Sequence, residues 1–289
     1  MTHGEAKQLL IQNLGPMYGK GEAMAIADLV WEKISGREKA RQRQLQYLEI
    51  TPAQQLELDL LAEKLATGQP VQYVLGEAWF LGRPYEVNGS VLIPRPETEE
   101  LVMWAVEIAA FKKKQGMPYN ILDIGTGSGC IAISLVHLIP GATITALDIS
   151  DDALTMARRN AEKHHAPIRT KRMDILDPSN WGTLGNFDII ISNPPYIPLS
   201  EKVSIARHVT EWEPSVALFT PENDAQIFYR NIASFGKTHL SNDGVILVEG
   251  HQQHLSGTAE VFTSAGYEVH LRTDLNNNMR MLKAQFKFP

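Results

Sequence analysis

The residues best placed to do chemistry stand in four short clusters. In the first, Asp123-Ile124-Gly125-Thr126-Gly127-Ser128-Gly129 closes an apolar run that begins at Asn120, and a helical pattern follows. Glycine lets a backbone turn tightly and lets a ligand approach the main chain. The start of the following helix would offer N–H groups and a positive dipole end. The second cluster is Asp148, at the end of the next apolar run, where a carboxylate can accept hydrogen bonds from two ribose hydroxyls. The third is Met173-Asp174-Ile175, in which an apolar pair flanking a carboxylate suits a base plane with an exocyclic amine at its edge. Loop, acid and acid at successive strand ends describe a nucleoside site. The candidate cofactor residues are Asp123, Gly125, Thr126, Gly127, Ser128, Gly129, Asp148, Asp174 and Ile175, joined by Asn193. The dinucleotide fingerprint requires a glycine where Cys130 stands, so nicotinamide and flavin cofactors are disfavoured. The nearest approach to a phosphate-binding P-loop, Gly15-Pro16-Met17-Tyr18-Gly19-Lys20, is one residue short and lacks the Ser or Thr for magnesium.

The fourth cluster is Asn193-Pro194-Pro195-Tyr196, directly after the apolar run Phe187–Ser192. Two prolines stiffen the backbone and remove two N–H donors. The Asn193 side-chain oxygen and the Pro194 carbonyl can then both face a ligand NH2 group, with Tyr196 as a flat apolar wall. Such a corner suits a planar NH2 on an sp² carbon, whether an amide or the exocyclic amine of a nucleobase. Asn193, Pro194, Pro195 and Tyr196 are the candidate catalytic residues.

These clusters need a scaffold that brings strand ends together. From residue 96 onward, strand and helix patterns alternate. The strands are expected at Asn120–Ile124, Thr143–Asp148, Ile168–Met173, Phe187–Ser192, Gly244–Glu249, Gly266–Arg272 and Met279–Gln285. The helices are expected at Glu97–Gln115, Ser128–Leu138, Asp151–His164, Pro221–Leu240 and Gln252–Ser264. The fold class is therefore α/β, a doubly wound, mostly parallel seven-stranded sheet ending in an antiparallel hairpin. Residues 1–75 read as a small helical bundle. Ala23, Ile26, Ala27, Val30 and Ile34 form one apolar face. Thr51, Pro52 and Gln54 make a capping box, Leu56, Leu60, Leu61 and Leu65 make a stripe, and Gly68 ends that helix. Residues 76–95 read as a β-hairpin connector turning at Asn88-Gly89, with Trp79 and Phe80 as interface core, and residues 96–289 as the domain that does the chemistry.

Composition narrows the function classes. Over 289 residues, 44% are hydrophobic and 21% charged, which is ordinary globular usage. Lys plus Arg is 27 and Asp plus Glu 33, a formal charge of −6. That balance argues against a protein whose affinity comes from neutralising phosphates. The single Cys130 fits a reducing compartment. With neither a leader pattern nor a long apolar run, the expected location is cytoplasmic, without a membrane span.

Other side chains receive plainer readings. His251 and His254 are three apart on an expected helix but lack a third metal ligand. His164-His165 is expected to end a helix, and Lys112-Lys113-Lys114 to be a solvated cationic end. Arg37, Lys39, Arg41 and Arg43 read as a solvated basic face, with contact to an acidic partner or ribosomal RNA as the alternative. A Gly-x-Ser-x-Gly hydrolase elbow is absent from the sequence.

Taken with these motifs, the chain resembles the class I S-adenosylmethionine-dependent methyltransferases and, more narrowly, the HemK-like release-factor glutamine methyltransferases. The resemblance also rests on Gly68-Gln69-Pro70-Val71-Gln72-Tyr73-Val74-Leu75-Gly76, on Val91-Leu92-Ile93-Pro94-Arg95-Pro96-Glu97-Thr98-Glu99, on Glu213-Pro214 and on Ala217-Leu218. It implies S-adenosylmethionine as cofactor, with S-adenosylhomocysteine as product. It implies methylation of the N5 amide nitrogen of the glutamine in the Gly-Gly-Gln tripeptide of class 1 peptide chain release factors. The helical domain would help to hold that protein partner, and no nucleic-acid substrate is expected. The Asn-Pro-Pro-Tyr turn is shared with nucleic-acid amino methyltransferases, so methylation of adenine N6 or guanine N2 is the alternative. The chain departs from the family where glycines usually follow the Ala-Leu pair, here Phe219-Thr220-Pro221-Glu222-Asn223-Asp224. It departs again at Asn276-Asn277-Asn278-Met279-Arg280, where a glycine usually precedes the arginine.

Overall fold

The computed structural model describes residues 1–37, 44–111, 118–221 and 224–286. Lys39, Arg41, Arg43 and Lys112-Lys113-Lys114 lie outside the described residues, as do Glu222 and Asn223. The chain forms two compact units, Met1–Glu77 with Arg207–Trp212, and Ala78–Ala206 with Glu213–Pro289.

The first unit is helical. Thr2 and Glu5 form a reciprocal capping box at the start of His3–Ser35, and that helix breaks at Gly19 (φ 75°, ψ 160°). Such a positive φ is open to glycine at little cost. The helix Pro52–Ala66 starts as expected, with Thr51 accepting from the Gln54 amide and the Gln54 side chain accepting in return. Gly68, at φ +83°, follows its end. The leucine stripe needs correction. Leu58, Leu61 and Leu65 are buried, whereas Leu56 and Leu60 are exposed. Positions 58, 61 and 65 follow the three- and four-residue steps of one helix face, and that face packs with Leu10, Ala27 and Trp31.

The second unit opens at Ala78, within β1 (Glu77–Phe80), which pairs with β2 (Arg83–Glu86) as a two-stranded sheet. Their turn is Leu81-Gly82, both at positive φ (47° and 71°). The expected hairpin turn at Asn88-Gly89 is therefore wrong. Asn88 Oδ1 accepts from the Ser90 amide and hydroxyl (2.9 and 2.6 Å), closing a loop turn after the strands. An Asn-Gly pair favours a tight turn but carries no information on which segments pair. Phe80 is buried beside Tyr85, while Trp79 is exposed at 61% and forms no core.

The remaining strands are β3 (Asn120–Ile124), β4 (Thr143–Asp148), β5 (Ile168–Arg172), β6 (Phe187–Ser192), β7 (Ile197–Pro198), β8 (Phe219–Thr220), β9 (Leu240–Glu249), β10 (Tyr267–Thr273) and β11 (Met279–Phe286). Seven of them form one sheet in the order β10-β11-β9-β6-β3-β4-β5. Pairs β3–β4, β3–β6, β4–β5 and β6–β9 are parallel, and β11 runs antiparallel to both β9 and β10. The doubly wound sheet and closing hairpin are as expected. Both faces are covered, so Ile121, Ile189, Ile191 and Leu247 join one core while Leu122, Ile190, Ile246 and Val248 join the other. The chain builds outward from β3 through β4 to β5 and then returns to β6 on the opposite side. This reversal leaves a crevice at the carboxyl ends of β3, β4 and β6.

Two helix starts shift. The helix before β9 spans Ile227–His239 and the one after it Leu255–Ser264, both later than expected. The His254 amide donates to the His251 carbonyl (2.9 Å), so residues 251–254 form a turn before the helix.

Candidate functional site

A cavity of about 430 Å³ occupies that crevice. Of the sequence candidates, Gly125, Gly127, Asp148, Asp174, Ile175, Asn193, Pro194 and Pro195 line it. Asp123, Thr126, Ser128, Gly129 and Tyr196 do not.

The glycine loop explains this division. Gly125, Gly127 and Gly129 all hold positive φ (74°, 54° and 81°), so alternate residues turn the chain back on itself. The amides of Gly125 and Thr126 both donate to the Leu147 carbonyl (2.9 and 2.8 Å), and Gly129 donates to Thr126 (2.8 Å). The Gly127 amide donates to Asp148 Oδ2 (2.9 Å). These four donors hold the loop's shape, and the helix that follows begins at Cys130. Gly129 packs under the loop, where an added Cβ would lie 3.1 Å from Ile133 Cδ1 and 3.2 Å from Ala157 Cβ.

Asp123 is a support beneath the loop. It is fully buried, and Oδ2 accepts from the Thr126 hydroxyl (2.6 Å). Burial pushes its carboxyl up to about 7. Asn160, which sequence reasoning missed, braces the loop from the other side. Its Nδ2 donates to the carbonyls of Ser128 and Glu86 (both 2.9 Å), and its Oδ1 accepts from the Glu86 amide (2.7 Å). Asp148 sits at the cavity edge, accepting from Gly127 and from the Ser150 amide (3.0 Å), with burial raising its pKa. Ser150 caps the following helix, leaving Asp148 to face the crevice. Asp174 Oδ1 accepts from the Leu176 amide (2.8 Å), which curls the chain so that Met173, Ile175 and Leu176 present an apolar wall beside one carboxylate.

The diproline corner forms the opposite wall. The Ser192 hydroxyl donates to the Ile124 carbonyl (2.8 Å), locking the end of β6 to the end of β3. Asn193 then donates from Nδ2 to Thr98 Oγ1 (3.1 Å). Asn193 and Pro194 both line the cavity. Tyr196 packs on the core behind the corner, its ring 6.0 Å from that of His251, and burial raises its phenol.

Sequence reasoning also missed several residues of the cavity wall. Ser90, Val91 and Leu92 line the cavity, as do Phe219 and Phe228. The segment carrying Val91 is anchored by Glu213, whose carboxylate takes the Ile93 amide on Oε2 (3.2 Å) and the Arg95 guanidinium on Oε1 (2.5 Å). Both Arg95 and Glu213 stood in quoted motifs, but their pairing had no local signal. His164 Nε2 donates to the Pro84 carbonyl (2.9 Å), a sharper role than a charged helix end. His254 Nε2 meets Glu201 Oε1 at 3.1 Å. Among the described residues no group of three or more His, Cys, Asp or Glu side chains can hold a metal, and no helix is long and apolar enough to cross a membrane.

Comparison with known proteins bears on the family and the fold. The methyltransferase small domain family matches residues 107–211. A release factor glutamine methyltransferase of Flavobacterium psychrophilum is 40% identical over 245 residues, covering 83% of this chain and 84% of that protein. One from Bacteroides thetaiotaomicron is 36% identical over 275 residues, covering 94% and 96%. The N-terminal domain of human METTL16, solved in complex with SAH, superposes with a TM-score of 0.51 over 71% of this chain and 76% of that chain at 17% identity, a likeness of fold.

Proposed function

The chain belongs to the release factor glutamine methyltransferase family, and from that premise we propose that it transfers a methyl group from S-adenosylmethionine to the N5 amide nitrogen of the glutamine in the Gly-Gly-Gln tripeptide of class 1 peptide chain release factors. The observation that carries this reading is that one cavity is walled by Gly125, Gly127 and Asp148 on one side and by Asn193, Pro194 and Pro195 on the other.

The residues fit the cofactor. Asp148 would take the ribose hydroxyls, Asp174 the base amine, and Ile175 the base plane. Gly125 and Gly127 leave room for close approach of the main chain. When bound, S-adenosylmethionine supplies an activated methyl group on a sulfonium that leaves as a neutral thioether.

The protein's task is then alignment and electrostatics. An amide nitrogen is a poor nucleophile because its lone pair is delocalised into the carbonyl. Asn193 Oδ1 and the Pro194 carbonyl accept from the two N–H bonds of the substrate amide, which fixes the direction of the nitrogen. The same acceptors stabilise the positive charge that grows on nitrogen during attack, the inverse of an oxyanion hole, and the strongly acidic cationic N-methyl amide then gives up one N–H proton to solvent. Pro195 stiffens the corner, and Tyr196 backs it by packing. The helical residues 1–75 hold the protein partner and 96–289 carry out the transfer, while the segment 76–95, expected as a connector, adds Ser90, Val91 and Leu92 to the wall of the cavity.

The test is mass spectrometry of a class 1 release factor incubated with the enzyme and labelled S-adenosylmethionine. A single added methyl on the tripeptide glutamine is the expected result. Label on RNA or DNA amines, with none on the release factor, would transfer the reading to nucleic acid.

A further inference from the structure

We propose that Thr98 and Glu249 are positioning residues that determine which end of the Asn193 amide faces the cavity. The inference rests on the reading that Asn193 accepts a hydrogen bond from the substrate.

Glu249 ends β9, the strand beside β6, where Ser192 pairs with Val248. Glu249 is 2% exposed and Thr98 3%. The Thr98 hydroxyl donates to Glu249 Oε2 (2.6 Å) and accepts from Asn193 Nδ2 (3.1 Å). The polarity of this chain follows from proton counting. An ionised carboxylate can only accept, and a threonine hydroxyl has one proton to give. Once that proton is directed at Glu249, Thr98 Oγ1 presents only lone pairs to Asn193. The amide must then turn Nδ2 toward Thr98, which leaves Oδ1 for the ligand. The opposite orientation sets oxygen against oxygen at Thr98 and presents an NH2 to the substrate's NH2. A buried carboxylate one step behind the site thus decides whether the corner attracts or repels an amide.

The groups around Glu249 favour the ionised arm in part. Arg280 and Arg95 stabilise it and Glu97 opposes it, while the Tyr196 and Tyr229 phenols lie close. The Tyr229 hydroxyl donates to the Glu249 backbone carbonyl (2.9 Å). Burial holds the carboxyl up at about 7.

The experiment uses the full chain and compares Thr98→Val, Thr98→Ser and Glu249→Gln. With a release factor as substrate, Thr98→Val should lower kcat about tenfold, as expected for loss of one orienting hydrogen bond. KM for the release factor and the calorimetric affinity for S-adenosylmethionine should stay unchanged. Thr98→Ser should restore most of the rate, and Glu249→Gln, whose amide oxygen can still accept from the Thr98 hydroxyl, should keep most of it. A second measurement needs no turnover. The Asn193 side-chain NH2 signals, assigned by their disappearance in Asn193→Asp, should exchange slowly with solvent in the wild type and quickly in Thr98→Val. Equal kcat in Thr98→Val and wild type, or a Thr98→Ser as impaired as Thr98→Val, would overturn the inference. So would identical NH2 exchange in wild type and Thr98→Val. A wild type that leaves release factors unmethylated would sink the proposed function, and the exchange measurement would still decide the relay.

Discussion

The Gly127 amide donates to Asp148 Oδ2 at 2.9 Å, so the turn after β3 and the carboxylate at the end of β4 are one rigid unit. The loop is shaped by the same acid that faces the cavity. Asp148→Ala therefore removes the carboxylate proposed to take the ribose hydroxyls and relaxes the loop together. The dissociation constant for S-adenosylmethionine should rise at least about tenfold, the scale of a hydrogen bond to a charged group. Titration calorimetry measures it, and an unaltered constant would remove Asp148 from the cofactor site.

Asn193→Ala takes away the acceptor but leaves the diproline backbone. Turnover should fall by about 10²-fold or more, as when one preorganised polar contact is lost. Cofactor affinity should change little, because Asp148, Asp174 and Ile175 remain. Single-turnover methylation of a release factor reads the first effect and calorimetry the second.

Glu213 anchors the cavity-lining segment through the Ile93 amide and the Arg95 guanidinium. Glu213→Gln keeps the shape but removes the charge and leaves one acceptor oxygen, so either the Ile93 amide or the Arg95 guanidinium loses its partner. Stability should drop by about 2 kcal/mol, the scale of charge-assisted hydrogen bonds at a buried acceptor. Urea unfolding reads the loss, and a midpoint equal to the wild type would show that the anchor is dispensable.

Asp123 makes stability depend on pH in a definite direction. Its carboxyl has an ordinary value of 3.8 and is held up at about 7 by burial in the fold. Between those values the unfolded chain has released a proton that the folded chain keeps. The group's contribution to stability is therefore full at acid pH and declines as pH rises through this window. Asp148 and Glu249, also raised by burial, add slopes of the same sign. Asp123→Asn should flatten the slope of unfolding free energy between about pH 4 and 7 without abolishing it, by this linkage. Parallel slopes for variant and wild type in urea titrations across that range would refute the assignment.

The motifs that were legible share one property, which is that each is local. The glycines of 125–129 state their positive φ by residue type, and Asp148, Asp174 and Asn193 end runs that alternate with helices. That alternation alone implies a parallel sheet, and a parallel sheet gathers its strand ends along one edge. The sequence by itself therefore determined the doubly wound fold and which loops would border the crevice. It could not determine what stands behind them. Thr98 and Glu249 meet across 151 positions, Ile93 and Glu213 across 120, and Glu86 and Asn160 across 74. Nor could it separate Asp123 and Thr126, turned beneath the loop, from Gly125 and Gly127, which line the cavity. Glu249 sits at a strand end like Asp148 and was open to the same rule, but the rule does not say that its partner is a threonine on a helix that begins at residue 96. The tertiary structure decided these pairings, because a buried hydrogen bond depends on where two side chains lie in space, whereas residue type and spacing report only on the few positions around each one.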